Sequence, residues 1–136
     1  MTKQVLYTGK THTTGDRDGA TRSSDGRLDV QLSAPGSSAP GTNPEQLFAA
    51  GWSACFIGTM GLAAGALKVQ LPAQTAVDAE VDLMNNETGY FLQARLHVSL
   101  PGLERATAQA IVDAAHQTCP YSKLSRGNMD VEIKLV

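Results

Sequence analysis

The chain predicts an α+β fold from three patterns. Residues around 77–83, 92–100 and 129–135 alternate apolar and polar side chains with the period of two that half-buried strands require. A run without a charged residue, Gln46 to Leu67, follows a strong helix-start signal, and a second helical repeat spans 103–114. Helices resting on antiparallel sheet are the simplest architecture that buries all of these faces.

Taken in order, Gln4 to Lys10 reads as an opening strand, followed by His12 and a polar turn, Gly15-Asp16-Arg17-Asp18-Gly19. Leu28, Val30 and Leu32 then share one face, with Arg27, Asp29, Gln31 and Ser33 on the other, which is a half-buried strand. Pro35, Gly36, Pro40 and Gly41 make Ser33 to Thr42 a loop. At Asn43-Pro44-Glu45-Gln46, Asn43 suits the cap, Pro44 the first helical position and Gln46 a capping-box partner. The helix should extend towards Leu67, although glycines at 51, 58, 61 and 65 invite a break or a close contact.

Beyond Gln74, Val77, Ala79, Val81 and Leu83 form one face of a strand, and Leu92, Ala94, Leu96, Val98 and Leu100 resume it after a turn at Asn85 to Gly89. These two strands are expected to be antiparallel neighbours. Pro101-Gly102 ends the second, and Leu103, Ala106, Ala110, Ile111 and Ala114 form the apolar side of a second helix. Cys119 falls near its end, with Pro120 able to start another short turn. Met129, Val131, Ile133 and Leu135 complete a terminal strand.

A length of 136 residues fits one domain, residues 1–136. Eleven basic and thirteen acidic residues give a net charge of −2 with no basic cluster, so nucleic acid is not an expected partner. The start MTKQVLYTGK lacks the apolar segment of a secretory signal, and cytoplasmic residence is the expectation. Gln46 to Leu67 is long enough to cross a bilayer, but its many glycines and alanines suit close packing against protein, so membrane insertion is not expected. A helix with such small-residue surfaces is hard to cover with the strands of one small chain, and a homodimer would supply the cover.

The two cysteines carry the functional question. Cys55 lies within the uncharged run and Cys119 precedes a proline. As buried free thiols they act as small hydrophobes in a non-enzymatic packing protein. As a redox pair, a Cys55 thiolate attacks a hydroperoxide, becomes a sulfenic acid and is resolved by Cys119 as a disulfide. Their distance in sequence, without a C-x-x-C motif, leaves proximity open. Arg17 is either a solvated turn residue or a cation that favours the Cys55 thiolate, forked to a carboxylate such as Glu45. In one unbroken helix Glu45 and Cys55 are about 15 Å apart along the axis and roughly 80° around it. If both serve one site, the helix must break near Gly51-Trp52-Ser53 or a second subunit must contribute. His12, His97 and His116 lack close metal-ligand spacing, so no metal is expected. Nothing local selects a cysteine-protease arrangement.

Four segments carry a resemblance that spans nearly the whole chain: GDRDG at 15–19, GTNPEQLFAAGWSACF at 41–56, SLPGL at 99–103 and AAHQTCPYSKLSRGN at 114–128. The chain resembles the OsmC/Ohr superfamily, in its organic hydroperoxide resistance branch. The resemblance implies an intertwined α+β homodimer with a central buried helix and two sites near the interface. It implies that Cys55 is the peroxidatic and Cys119 the resolving cysteine, that Arg17 is the activating arginine and that Glu45 is its carboxylate partner. It further implies organic and fatty-acid hydroperoxides as substrates and no bound cofactor. Dihydrolipoamide on a lipoylated dehydrogenase-complex subunit is the implied reductant, and a less selective OsmC-type peroxidase is the nearest rival. Departures from the family pattern fall at Asp16, where glycine is frequent, at Trp52, where tyrosine is more frequent, and at Lys123-Leu124-Ser125.

Overall fold

The computed structural model describes residues 2–136. The backbone divides into two compact units, Met1–Pro44 and Glu45–Val136.

The first unit holds β1 (Thr11–Thr14), β2 (Ala20–Ser23) and β3 (Asp29–Gln31), an antiparallel sheet in the order β1-β2-β3. The pairing runs from Thr11 opposite Ser23 to Thr14 opposite Ala20. The strand expected at Gln4 to Lys10 therefore starts at Thr11 instead. Val5, Leu6 and Tyr7 are consecutive and all well exposed, so the segment lacks the alternation of a half-buried strand. In β3, Val30 is half-buried between exposed Asp29 and Gln31, as the alternation predicts, but the ladder is only three residues long. Gly15, with φ 74°, and Gly19 close the β1–β2 turn so tightly that a Cβ on Gly19 would collide with the Thr14 carbonyl. This turn carries Arg17, whose backbone N–H donates to the Asp16 carboxylate at 2.9 Å.

The second unit contains α1 (Pro44–Ala66), β4 (Ala76–Asn86), β5 (Gly89–Ser99), α2 (Arg105–Thr118), α3 (Pro120–Ser125) and β6 (Asp130–Leu135). β4 and β5 form a long antiparallel hairpin, closing at Asn86 opposite Gly89. β6 joins β5 in parallel, which corrects the expectation of wholly antiparallel sheet. The chain leaves β5, crosses through α2 and α3 and returns in the same direction, and a crossover of that length is what a parallel pair requires.

α1 starts at Pro44 as expected and runs unbroken past Gly51. Trp52, Phe56, Met60 and Ala64, spaced four apart, are its buried stripe. They join Ala94, Leu96 and Val98 of β5 and Ile111, Val112 and Ala115 of α2 in one core. Fully burying a Phe, Met, Leu, Ile or Val side chain among these stabilises the fold by about 1.5–3 kcal/mol, and an alanine by less. On the other side of α1, Ala50, Ala54, Gly58, Gly61, Leu62 and Gly65 are exposed. The helix has the length and hydropathy of a membrane span, but its largest side chains are spent on this core.

The apolar face of α2 is rotated from the expected one. Ala108, Ile111, Val112 and Ala115 are buried, whereas Ala106, Ala110 and Ala114 are exposed. Ile111 and Val112 bury far more apolar area than any alanine, so they set which face turns inward.

On the polar face of the hairpin, Arg95 forks onto the Asp82 carboxylate with both bonds at 2.9 Å and also reaches Glu80 at 3.0 Å. Gln93 adds a bond to Asp82 at 2.7 Å. The bonds from Arg95, then from Gln93, hold the Asp82 carboxyl at about 2, below the usual 3.8. A depressed carboxyl pKa adds stability above its unfolded value that is lost as pH falls through the folded one. Asp82→Asn is therefore expected to lower the melting temperature slightly at pH 7, as befits a part-exposed pair. The difference should shrink below pH 4 and be gone only below about pH 2, as the pH falls through the folded value; thermal melts across this range with a constant difference would refute it.

Candidate active site

The Cys55 and Cys119 sulfurs lie 3.2 Å apart although 64 residues separate them in sequence. Both are free thiols, Cys55 half-buried and Cys119 wholly buried. A disulfide bond is about 2.05 Å long, so roughly 1 Å of approach closes the pair.

Each thiol is placed by its element. Cys55 follows the Trp52 turn of α1, three residues along, with Phe56 in the core immediately after it. Cys119 is the junction between α2 and α3: its N–H donates to the Ala115 carbonyl at 2.8 Å, and its own carbonyl accepts from Lys123 N–H at 2.9 Å. Its backbone is extended, φ −62° and ψ 126°, and Pro120 begins α3. The Cys119 side chain thus turns back into the core at the one non-helical residue between two helices.

The segment after Cys119 is fitted onto α1 by close contacts. Gly51 lets the ring come close: a Cβ there would stand 3.1 Å from the Tyr121 ring, which would have to give by a few tenths of an ångström. Phe48 packs against both Trp52 and Tyr121, at ring-centroid distances of 5.4 and 6.0 Å. Of the four glycines of α1, this one explains its absence of side chain by close approach, and the helix pays no break for it.

Among the described contacts of Cys55, those that favour the thiol prevail. Burial pushes the Cys55 thiol above its ordinary pKa, and the neighbouring Cys119 pushes the same way. The backbone N–H of Tyr121 and the hydroxyl of Thr59 oppose them without prevailing. Thr59 is further tied to the backbone by donating to the Cys55 carbonyl at 2.9 Å. His116, on the last turn of α2, is held below its usual pKa, chiefly by burial and then by Arg126, so it stays neutral near pH 7. A cation beside a cysteine favours its thiolate.

Of the residues singled out in the sequence, the fold brings Cys55 and Cys119 together. Arg17 sits half-buried in the β1–β2 turn of the first unit, and Glu45 in the first turn of α1. Because α1 is unbroken, Glu45 and Cys55 of one chain stay about 15 Å apart along its axis. Thr59 and Tyr121 were not anticipated. Thr59 is one turn beyond Cys55, a spacing that marks a shared helix face, whereas nothing in the sequence signals the Tyr121 N–H.

A family model of OsmC-like proteins matches residues 34–134. An organic hydroperoxide resistance protein of Xanthomonas axonopodis pv. citri is 44% identical over 137 residues, covering 98% of this chain and 96% of the relative. The organic hydroperoxide resistance protein OhrB of Bacillus subtilis is 40% identical over 136 residues, covering 96% and 98%. Its crystal structure superposes with a TM-score of 0.91, at 39% identity over 97% of this chain and 100% of that one. A putative organic hydroperoxide resistance protein of Vibrio cholerae, crystallised with captopril in one of the active sites, gives a TM-score of 0.90 at 36% identity, covering 97% and 93%. With two free thiols in reach of each other at the centre of this fold, the chain belongs to the OsmC/Ohr superfamily, in its organic hydroperoxide resistance branch, and is a cysteine-based peroxidase.

Proposed function

We propose that the protein reduces organic hydroperoxides, fatty-acid hydroperoxides among them, to alcohols through a Cys55–Cys119 disulfide cycle. The observation that carries the reading is the 3.2 Å approach of the two thiols. In the first step the Cys55 thiolate attacks the O–O bond of ROOH; the sulfur takes one oxygen and becomes a sulfenic acid, and RO⁻ leaves and is protonated to ROH. In the second, the Cys119 thiol displaces that oxygen as water and forms the disulfide. Two electrons pass from sulfur to peroxide, and a dithiol returns them. Dihydrolipoamide carried by a lipoylated dehydrogenase-complex subunit is the proposed reductant, with no cofactor bound by the chain itself. The apolar core that both thiols adjoin favours an organic R group over hydrogen peroxide.

Arg17, oriented by Glu45, is the proposed source of positive charge beside the Cys55 thiolate. An unbroken α1 keeps Glu45 away from the Cys55 of its own chain, which supports a homodimer in which one copy supplies Arg17 and Glu45 to the thiols of the other. The exposed small-residue side of α1 suits such a partner, and the Vibrio cholerae relative has more than one active site. The two compact units then act as a single functional domain, and a cycling thiol pair fits a cytoplasmic location.

The test is a single turnover of reduced protein with one equivalent of cumene hydroperoxide, a lipid hydroperoxide or hydrogen peroxide, followed by intact-mass and disulfide mapping. The expected product has lost two hydrogens and carries a Cys55–Cys119 disulfide, formed faster with either organic hydroperoxide. Cys119→Ser is expected to react once and then accumulate oxidised Cys55 without recycling. Equal rates with hydrogen peroxide would favour a less selective peroxidase, and an unreactive native Cys55 would leave only a packing role.

A further inference from the structure

The reaction needs Cys119 aimed at Cys55 at the moment when the Cys55 sulfur carries an oxygen, yet Cys119 sits at a junction between two helices. One buried polar contact ties that junction to α1. The Trp52 indole N–H donates to the Ser122 hydroxyl at 3.3 Å, and both side chains are fully buried. Trp52 precedes Cys55 by three residues and Ser122 follows Cys119 by three, so one bond spans the two segments next to the sulfur pair. Ser122 is itself fixed, since its carbonyl accepts from the Ser125 hydroxyl at 2.8 Å and from Arg126 N–H at 3.1 Å. The neighbouring contact of Tyr121 on Gly51 is apolar and without direction, whereas the indole–hydroxyl bond has a preferred geometry.

We propose that the Trp52–Ser122 hydrogen bond is a latch that sets the attack geometry of Cys119, which makes Ser122 and Trp52 positioning residues for disulfide closure. The proposal rests on the peroxidase reading and concerns only its second step: Cys119–SH and Cys55–SOH give the disulfide and one water. Neither residue is required for the attack of Cys55 on the peroxide. With the latch gone, α3 is held on α1 by the less directional Tyr121 contacts and shifts more readily, and displacements near 1 Å are enough to slow a reaction between two held groups by up to about 100-fold. The sulfenic acid then persists and meets a second hydroperoxide, which takes it to the sulfinic acid.

The test uses the full chain, reduced and mixed with cumene hydroperoxide in a quenched-flow apparatus. Hydroperoxide loss reports the first step, intact mass after thiol blocking reports disulfide closure, and dimedone traps the sulfenic acid between them. Ser122→Ala is expected to consume the first equivalent of hydroperoxide at the wild-type rate, to close the disulfide about tenfold or more slowly, and to gain sulfinic acid under excess peroxide. Trp52→Phe, which removes the N–H donor and keeps an aromatic ring, is expected to do the same. The double variant should be no slower than the slower single one, because both lose one bond. Ser122→Thr, which retains the hydroxyl, should recover most of the closure rate. Closure at the wild-type rate in either single variant overturns the latch, and so does a parallel loss of both steps, which marks a merely structural contact. Should Ser122→Ala not fold, Trp52→Phe decides. A wild-type protein that neither consumes hydroperoxide nor forms the disulfide defeats the peroxidase reading instead.

Discussion

Replacing Cys55 by serine is expected to abolish catalytic hydroperoxide reduction, with turnover at least about 10³-fold lower. A thiolate is a soft, polarisable nucleophile and yields a divalent sulfur that can carry the transferred oxygen. A serine hydroxyl stays protonated near neutral pH, and the same oxygen transfer to it would build a new O–O bond in place of the one broken. Cys119 cannot take over, because it is wholly buried and its sulfur faces Cys55. The fold itself should survive: Cys55 is half-buried, and trading its thiol for a hydroxyl is expected to cost about 1 kcal/mol or less. Peroxide consumption under excess dithiol, measured beside a thermal melt, separates lost chemistry from lost structure. Normal turnover by a folded Cys55→Ser protein would sink the assignment.

The parts of the fold that were legible in advance are those where one side meets water. β4, β5 and β6 alternate because each has a core face, and the covered residues fall on the expected positions except at the end of β4, where Leu83 is exposed and Asp82 and Met84 are half-buried. Pro44 marked the start of α1 because its fixed φ and missing N–H suit that position alone. The direction of β6 was not legible, since alternation is the same in parallel and antiparallel ladders and only the crossover through α2 and α3 decides it. Alanines at 106, 110 and 114 misled the reading of α2, because alanine is neutral about which side of a helix it occupies.

For the site, residue chemistry named a thiol pair and the family resemblance gave each thiol a role, but their approach is a property of the folded chain. The contacts that make it possible come from ordinary residues. Gly51 matters because Tyr121 lies against it, and Ser122 because the Trp52 indole faces it. No sequence pattern announces either. Of the two alternatives open at Gly51, a break or a close contact, the structure takes the contact: a glycine that makes room for a ring need not bend its helix.

Arg17→Ala is expected to slow oxidation of Cys55 by about 10²-fold or more at pH 7 and to move the pH–rate profile upward. A free thiol of ordinary pKa is only about 3% thiolate at pH 7, and here burial and Cys119 push Cys55 higher still. Without a cation the reactive fraction grows only as pH rises through that raised value, so the variant should recover part of its deficit in alkali. The remainder measures the charge that the guanidinium offers the departing peroxide oxygen. Arg17→Lys restores charge but not the planar fork proposed to Glu45, and an intermediate rate is expected. Mixed dimers locate the arginine. Cys55→Ser and Arg17→Ala homodimers are each expected to be inactive or nearly so, but a dimer with one copy of each holds one complete site if Arg17 serves the thiols of its partner. Such a dimer should regain up to half of the wild-type activity. If arginine and thiol act within one chain, no site in it is complete and activity stays lost. An unchanged rate and profile in Arg17→Ala would leave Cys55 without its proposed activator, since burial and Cys119 both push its thiol above the ordinary pKa.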